Sequence, residues 1–335
     1  SLMVCKIMCI FVVDMDIVRF VKNWTLPVSM TAGTVIYLVF AKVPFLAGAA
    51  GVMSPVCDKM LPAFMFMILF VTFCKVDFRR LRLTGWHLWI GLFQIILVGT
   101  LVGIALGFHL SGHALTMMEA LLTCVVAPVA AAAAVVTSKL GGDLEKMTTF
   151  TFVSNLITAI LIPICFPLID PSADVSFIDS FAKIFYEVCV VLVVPMAMAY
   201  VVKHMLPRLH RRIVSVKDLS YYLWGCSLMM VTGTTVKNIC HSGSPVAFIA
   251  AIALMGLLVC IAQFSIGRFI GHYFNATVDA GQALGQKNTA FAIWIAYTYL
   301  NPLSSVGPGC YILWQNIINS VEIWMYRRKG MERAA

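Results

Sequence analysis

The most unusual chemical group in this chain is a lysine within a long apolar stretch. Lys287 lies in the short polar run Gln286-Lys287-Asn288-Thr289, which has apolar segments on both sides. An ammonium group at the centre of a membrane costs about 2.5–3.5 kcal/mol, so its presence there indicates a function. Glu119, Asp279 and Glu322 fall near the ends of apolar segments, and none has an obvious place at the depth of Lys287. The ammonium is therefore suited to pair with the carboxylate of a bound anion, and a purely structural ion pair is the alternative.

No comparable pattern of residues indicates a metal site or a catalytic nucleophile. The eleven cysteines are scattered, without a CxxC pair, and the seven histidines do not form a pair with metal-ligand spacing on one helix. A membrane enzyme would need several histidines or acids at one membrane face, and no such group is seen. We therefore predict no catalytic residue, no metal site and no cofactor.

The composition of the chain indicates the kind of secondary structure that positions Lys287 and its polar neighbours. Of the 335 residues, 61% are hydrophobic and only 12% are charged, whereas a soluble domain has about 25% charged residues. So few charges could not cover the surface of a soluble fold, and the same composition excludes disorder. The chain is predicted to be all-α and to cross the membrane several times. The segment from Lys6 to Val18 lacks a signal-peptide cleavage site.

The apolar segments predict ten membrane-spanning helices, since each crossing needs about 20 mostly apolar residues. They are 26–42, 57–75, 86–108, 116–138, 147–169, 178–204, 219–239, 245–272, 278–300 and 303–326. With the amino terminus inside, 19 Lys and Arg residues belong to the cytoplasmic side, and three, Lys42, Lys59 and Lys237, to the other. This bias places both termini in the cytoplasm. It also accounts for the net charge of +9 by attraction to anionic lipids, so no nucleic-acid partner is expected.

Ten spans divide into two halves of five that cross the membrane in opposite directions. The halves are residues 26–170 and 178–327, within a single transporter domain of residues 1–335. Inverted repeats of this kind are typical of secondary transporters, whose sites lie where a helix in each half is broken. Span 4 contains Pro128, which removes a backbone donor, and span 9 contains Gly281 and Gly285, which weaken a helix. We therefore expect helices 4 and 9 to be discontinuous and to cross near the midplane.

Four motifs, in this order and spacing, resemble the bile acid:sodium symporter family over all ten spans. They are Gln94 in span 3, Pro128 with the small residues up to Val135-Val136-Thr137, Gly285-Gln286-Lys287-Asn288, and Trp314-Gln315-Asn316. The third motif resembles a Glu-Thr-Gly-x-Gln-Asn crossover, and the fourth a Trp-His-Asn pattern. The resemblance implies a core domain of helices 3–5 and 8–10 and a panel domain of helices 1, 2, 6 and 7. Substrate is then expected between the two domains, beside the crossed helices.

The cation site is where this chain departs from the family it resembles. The positions equivalent to the sodium site are Gln94, Ala133, Ala134, Met147, Thr151, Ala283 and Lys287. Methyl groups supply no oxygen ligand, so sodium is not an expected partner. Our hypothesis is that the Lys287 ammonium takes the position of the cation. Coupling to protons stays open.

The sequence thus predicts a secondary transporter of small organic anions, either bile-acid-like steroids or simpler carboxylates, working by alternating access. The expected substrate-binding residues are Lys287, Asn288, Thr289, Gln315, Asn316 and the backbone of Ala131 and Ala132. The expected location is integral to a bacterial inner (plasma) membrane, with the lipid bilayer as a partner. A sodium-free carrier resembling the auxin efflux carriers and a non-transporting membrane relative are the alternatives.

Overall fold

The computed structural model describes residues 25–43, 45, 47–169, 176–216, 219–241 and 243–334. The segment from Lys6 to Val18 lies outside these residues. The described chain is helical apart from turns and one isolated antiparallel bridge, and no strand occurs in it. The α-helices are α1 (Thr25–Lys42), α2 (Ala47–Cys74), α3 (Gly85–Gly107), α4 (Gly112–Val126), α5 (Ala133–Lys139), α6 (Leu144–Ile169), α7 (Phe177–Leu192), α8 (Val194–Met205), α9 (Pro207–Ser215), α10 (Leu219–His241), α11 (Val246–His272), α12 (Thr277–Gly285), α13 (Thr289–Tyr299) and α14 (Val306–Ala334).

Each predicted span coincides with one helix or with a consecutive pair. Spans 4 and 9 are the pairs α4/α5 and α12/α13, and the sixth span is divided into α7 and α8 just before Pro195. Helix α2 begins ten residues before the predicted start at 57, and a 3₁₀ turn over Pro302–Ser305 precedes α14. The short basic helix α9 lies outside all the predicted spans.

Among the described residues, four helical segments are long and apolar enough to cross a membrane: Gly85–Gly107, Leu144–Ile169, Phe177–Met205 and Val246–His272. Helix α11 contains an apolar stretch of 18 residues, and only 22% of this stretch is buried inside the protein. An apolar surface of this extent needs a non-aqueous environment. The chain is therefore an integral membrane protein.

Helix α12 is held against α11 by a close backbone contact. Added Cβ atoms at Gly267 and Gly271 would collide with the carbonyl oxygens of Ala280 and Ala276. Small residues allow membrane helices to approach this closely, so these two glycines fix the position of the first segment of the broken helix.

Candidate functional site

The two helix breaks lie against each other. Helix α4 ends at Val126 and α12 ends at Gly285, and the extended residues that follow pair in antiparallel fashion at Val129 and Lys287. The Ala130 N–H donates to Gln286 O at 3.0 Å, and the Asn288 N–H donates to Pro128 O at 2.7 Å. Non-helical backbone inside a membrane must find hydrogen-bond partners within the protein, and each break supplies them for the other.

The carbonyl end of α4 is surrounded by side-chain donors. The Lys287 ammonium donates to Val125 O at 3.0 Å. The Gln94 amide nitrogen lies 3.2, 3.1 and 3.4 Å from the carbonyl oxygens of Val125, Val126 and Ala127, and Thr158 donates to Val126 O at 2.9 Å. A helix carries partial negative charge at its carboxyl end, so a cation is stabilised there.

The side chains at this end of α4 are buried. Lys287 is 1% exposed and Gln94 is not exposed at all. Lys287 forms no ion pair with a carboxylate among the described residues, so backbone carbonyl dipoles balance its charge. The Gln94 side-chain oxygen Oε1 is buried and has no hydrogen-bond partner within the described chain.

The carbonyl end of α12 is satisfied by neutral groups. The Tyr311 hydroxyl donates to Gly285 O at 2.7 Å, and the Gln263 amide donates to the Tyr311 oxygen at 3.0 Å. Gln263 also donates to Cys124 O at 3.3 Å, which links α11 back to α4. The carbonyl end of α4 thus binds an ammonium, whereas the carbonyl end of α12 binds a phenol hydroxyl.

Side chains from the helices that follow each break hold the centre of the crossing. Ser154 on α6 accepts from the Val129 N–H at 3.0 Å. Gln315 on α14 accepts from the Lys287 N–H at 2.9 Å and donates to Lys287 O at 3.2 Å. The Asn288 side chain caps α13 by accepting from the Phe291 N–H at 3.3 Å.

A cavity of about 1030 Å³ lies beside the crossing. All the predicted substrate-binding residues are in its lining: Lys287, Asn288, Thr289, Gln315, Asn316, Ala131 and Ala132. The opposite wall is largely apolar and comes from α2, including Met65, Ile68 and Leu69, with Trp224 of α10. The cavity is therefore suited to a solute with both a polar and an apolar part.

One end of the cavity is lined by charged residues, Lys75, Asp77, Arg80, Lys139 and Glu145. The Arg80 guanidinium donates to Glu145 at 2.8 Å, which joins the segment after α2 to the start of α6. The hydrogen bond to Glu145 raises the pKa of Arg80 above its usual value.

The positions that the family resemblance predicts for a cation site separate into two groups. Ala133, Ala134, Met147 and Ala283 are buried together in one apolar cluster. Thr151 lies nearby on α6, but its hydroxyl donates to Met147 O of its own helix at 3.0 Å. The remaining two, Gln94 and Lys287, meet at the end of α4.

Two residues of this arrangement, Gln263 and Tyr311, were missed by the sequence analysis. Gln263 lies in the apolar segment 245–272, so its intramembrane amide was a signal that could have found it. Tyr311 had no such signal, because a tyrosine in an apolar segment is also typical of a membrane interface. The Val125 carbonyl that binds Lys287 is a backbone group, and because every residue has one, the sequence does not indicate this contact.

Comparison with known proteins gives one family. Residues 62–270 match the model of the Sodium Bile acid symporter family, which covers more than half of the chain. No curated protein matches it. The match includes Gln94, both segments of the first broken helix and α11 up to residue 270, and it ends before the second crossing segment.

Proposed function

The chain belongs to the sodium bile acid symporter family, and from that premise we propose that it is a sodium-independent secondary transporter of small organic anions. In this proposal the Lys287 ammonium is a tethered replacement for a transported cation. The substrate class and the working of the transport cycle are part of the proposal. A carrier resembling the auxin efflux carriers, or a membrane relative that does not transport, remains the alternative.

The contact between Lys287 and the end of α4 carries the proposal. Its ammonium is buried and donates to Val125 O at 3.0 Å, at the negative end of a helix and without a carboxylate partner in the described chain. A buried charge is costly unless the surrounding dipoles stabilise it. The carbonyl oxygens here are of the type that would otherwise bind a small cation.

The apolar cluster supports sodium independence. Alkali cations need several oxygen ligands, and Ala133, Ala134, Met147 and Ala283 supply only carbon and sulfur from their side chains. Thr151, another of these positions, has a hydroxyl that already donates to Met147 O within its own helix.

An inverted repeat is supported by the bonding at the crossing. Adding 158 to the residue numbers of the first crossing segment converts Pro128 into Gln286 and Ala130 into Asn288. One shift therefore exchanges the two hydrogen bonds, as expected for halves related by a twofold axis. The helices that follow supply Ser154 and Gln315 as acceptors for the paired residues Val129 and Lys287. We infer that ten spans form two inverted five-helix repeats, residues 26–170 and 178–327.

Substrate access is inferred from the cavity. Its polar wall comes from the proposed core and its apolar wall from α2 of the proposed panel, as alternating access between two bodies requires. Its charged end, with Lys75, Arg80 and Lys139, belongs to the side that the sequence predicts to be cytoplasmic. We infer an inward-facing state in which Asn288, Thr289, Gln315, Asn316 and the backbone of Ala131 and Ala132 meet the anion, while Lys287 acts mainly through its charge.

Uptake of a panel of radiolabelled organic anions into proteoliposomes tests the function. We expect saturable uptake of at least one anion, competed by others and unchanged when choline replaces sodium. Strong sodium dependence would contradict the tethered-cation hypothesis, and failure of every anion would favour the non-transporting alternative.

A further inference from the structure

Two buried carboxylates lie on the first segments of the two broken helices. Glu119 on α4 is 1% exposed and Asp279 on α12 is 6% exposed. Glu119 Oε2 accepts from the Asn301 N–H at 3.1 Å, and Asp279 Oδ1 accepts from the Asp143 N–H at 2.7 Å. Each carboxylate therefore holds a loop that belongs to the other half of the chain.

The two loops occupy equivalent places. Asp143 follows α5 and Asn301 follows α13, and the shift of 158 that relates the crossing segments also converts residue 143 into residue 301. Both residues cap what comes next: Asp143 Oδ1 accepts from the N–H groups of Glu145 and Lys146 at 3.0 Å, and Asn301 Oδ1 accepts from the Leu303 N–H at 3.0 Å.

The capping role keeps Asp143 charged. Burial raises the pKa of its carboxyl, but the hydrogen bonds from Lys146 and Glu145 and the charge of the Lys146 ammonium outweigh burial and hold that pKa below its usual value. The side chain of Asp143 is thus committed to its own helix, and its N–H is left to bind Asp279.

Both contacts are closely packed. A Cβ added at Gly142 would collide with the Asp279 carboxylate and lie 2.6 Å from Thr137 Cγ2. At the opposite end, a Cβ added at Gly307 of α14 would lie 2.9 Å from the Cβ of Ala120, the neighbour of Glu119. Gly142 thus lets the loop before α6 lie directly against α12, and Gly307 lets the start of α14 lie directly against α4.

We propose that Glu119 and Asp279 are positioning residues that fasten each broken helix to the loop of the opposite half, one at each end of the crossing. Hydrogen bonds to a charged acceptor are stronger than neutral ones. With the two backbone bonds at the centre, they hold both broken helices as one rigid body. That this body moves as a unit during transport rests on the proposed function, whereas the fastening itself does not.

Hydrogen–deuterium exchange of the purified protein in detergent tests the fastening directly. The variants Asp279→Leu and Glu119→Met remove the acceptor with little loss of volume. We expect Asp279→Leu to accelerate exchange at residues 140–146 about tenfold or more and to leave 300–305 unchanged, and Glu119→Met to do the reverse. Thr116→Val is the control, because the Thr116 hydroxyl donates to Gly112 O of its own helix.

The isosteric amides separate positioning from charge. Asp279→Asn and Glu119→Gln keep a side-chain oxygen that can accept the same bond, so they should accelerate exchange at the fastened loop less than threefold and retain transport. Equal acceleration at both loops, no acceleration at either, or amides as disruptive as the apolar variants would overturn the proposal. If an apolar variant does not fold, the same exchange measurement on the amide and alanine variants decides.

Transport is measured on the same samples. Neither carboxylate lines the cavity, so we expect Asp279→Leu to lower the maximal rate about tenfold while the KM for the anion changes less than twofold. A protein that transports no anion even as wild type contradicts the proposed function, but it leaves the exchange result, and with it the fastening, intact.

Discussion

Replacing Lys287 by alanine and adding a small free cation tests the tethered-cation hypothesis most directly. The substitution removes the ammonium that donates to Val125 O and leaves a space at the carbonyl end of α4. A cation at a helix end contributes up to about 2 kcal/mol in a partly buried geometry, and this contribution is lost while the Gln94 amide still donates to Val125 O at 3.2 Å. At 1.4 kcal/mol per factor of ten, we expect anion uptake to fall roughly 30-fold.

The loss should be reversible by a cation of the right size. Methylammonium supplies the group that alanine lacks, and it can donate to Val125 O within the space the lysine side chain vacates. We expect millimolar methylammonium to restore uptake by Lys287→Ala in a saturable way, with little effect on the wild type. Sodium, added in the same range, reports whether the carbonyls accept an alkali ion once the ammonium is gone.

The protein fold should tolerate this substitution, since the desolvation cost of a buried ammonium disappears with it. Lys183→Ala is the matched control, because Lys183 also falls in a predicted span but is exposed. Size-exclusion profiles and melting temperatures establish that the variants are folded. Uptake by Lys287→Ala at the wild-type rate, or the same loss in Lys183→Ala, would refute the role of Lys287. Loss without rescue by any small cation would refute its action as a cation substitute.

Two further predictions concern contacts near the crossing, and a third concerns the charge that the proposed cycle moves. Gln94→Leu removes the amide that lies between three carbonyl oxygens of α4, and we expect about a tenfold loss of uptake at unchanged expression. Gly142→Ala should lower the melting temperature, because the new Cβ would collide with the Asp279 carboxylate, whereas Gly103→Ala, with open space around it, should not. Uptake of a monovalent anion should be faster in vesicles clamped inside-positive with valinomycin and potassium, and independence from voltage would contradict an uncoupled cycle.

The positions of the helix breaks could be predicted from the sequence because their causes are side-chain chemistry. Pro128 lacks an N–H group, and Gly285 has no side chain to stabilise a helix, so both breaks are visible without a structure. The polar residues beside them, Asn288 and Gln315, were predicted as site residues and lie together in the lining of one cavity.

The environment of Lys287 could not be predicted, because its partner is backbone. The sequence suggested the carboxylate of a substrate as counter-ion, since no acidic residue was available at its depth. In the structure the ammonium donates to Val125 O, and carbonyl dipoles supply the compensation. The contacts of Glu119 and Asp279 escaped prediction for the same reason, since each binds a main-chain N–H of a distant loop.

A cation fixed to the chain changes the energetics of the proposed cycle. A free sodium ion is released on one side of the membrane, so its gradient can drive the substrate, whereas the Lys287 ammonium returns with the protein in every cycle. The net charge moved per cycle is then that of the anion alone. Each elementary charge that crosses a potential of 100 mV changes its free energy by about 2.3 kcal/mol. An inside-negative membrane would therefore favour export of a monovalent anion, and net uptake would need either a steep inward gradient of the anion itself or a co-transported proton. If the proposal holds, the tethered ammonium would distinguish this chain from a sodium-driven carrier in the direction of transport as well as in ion dependence.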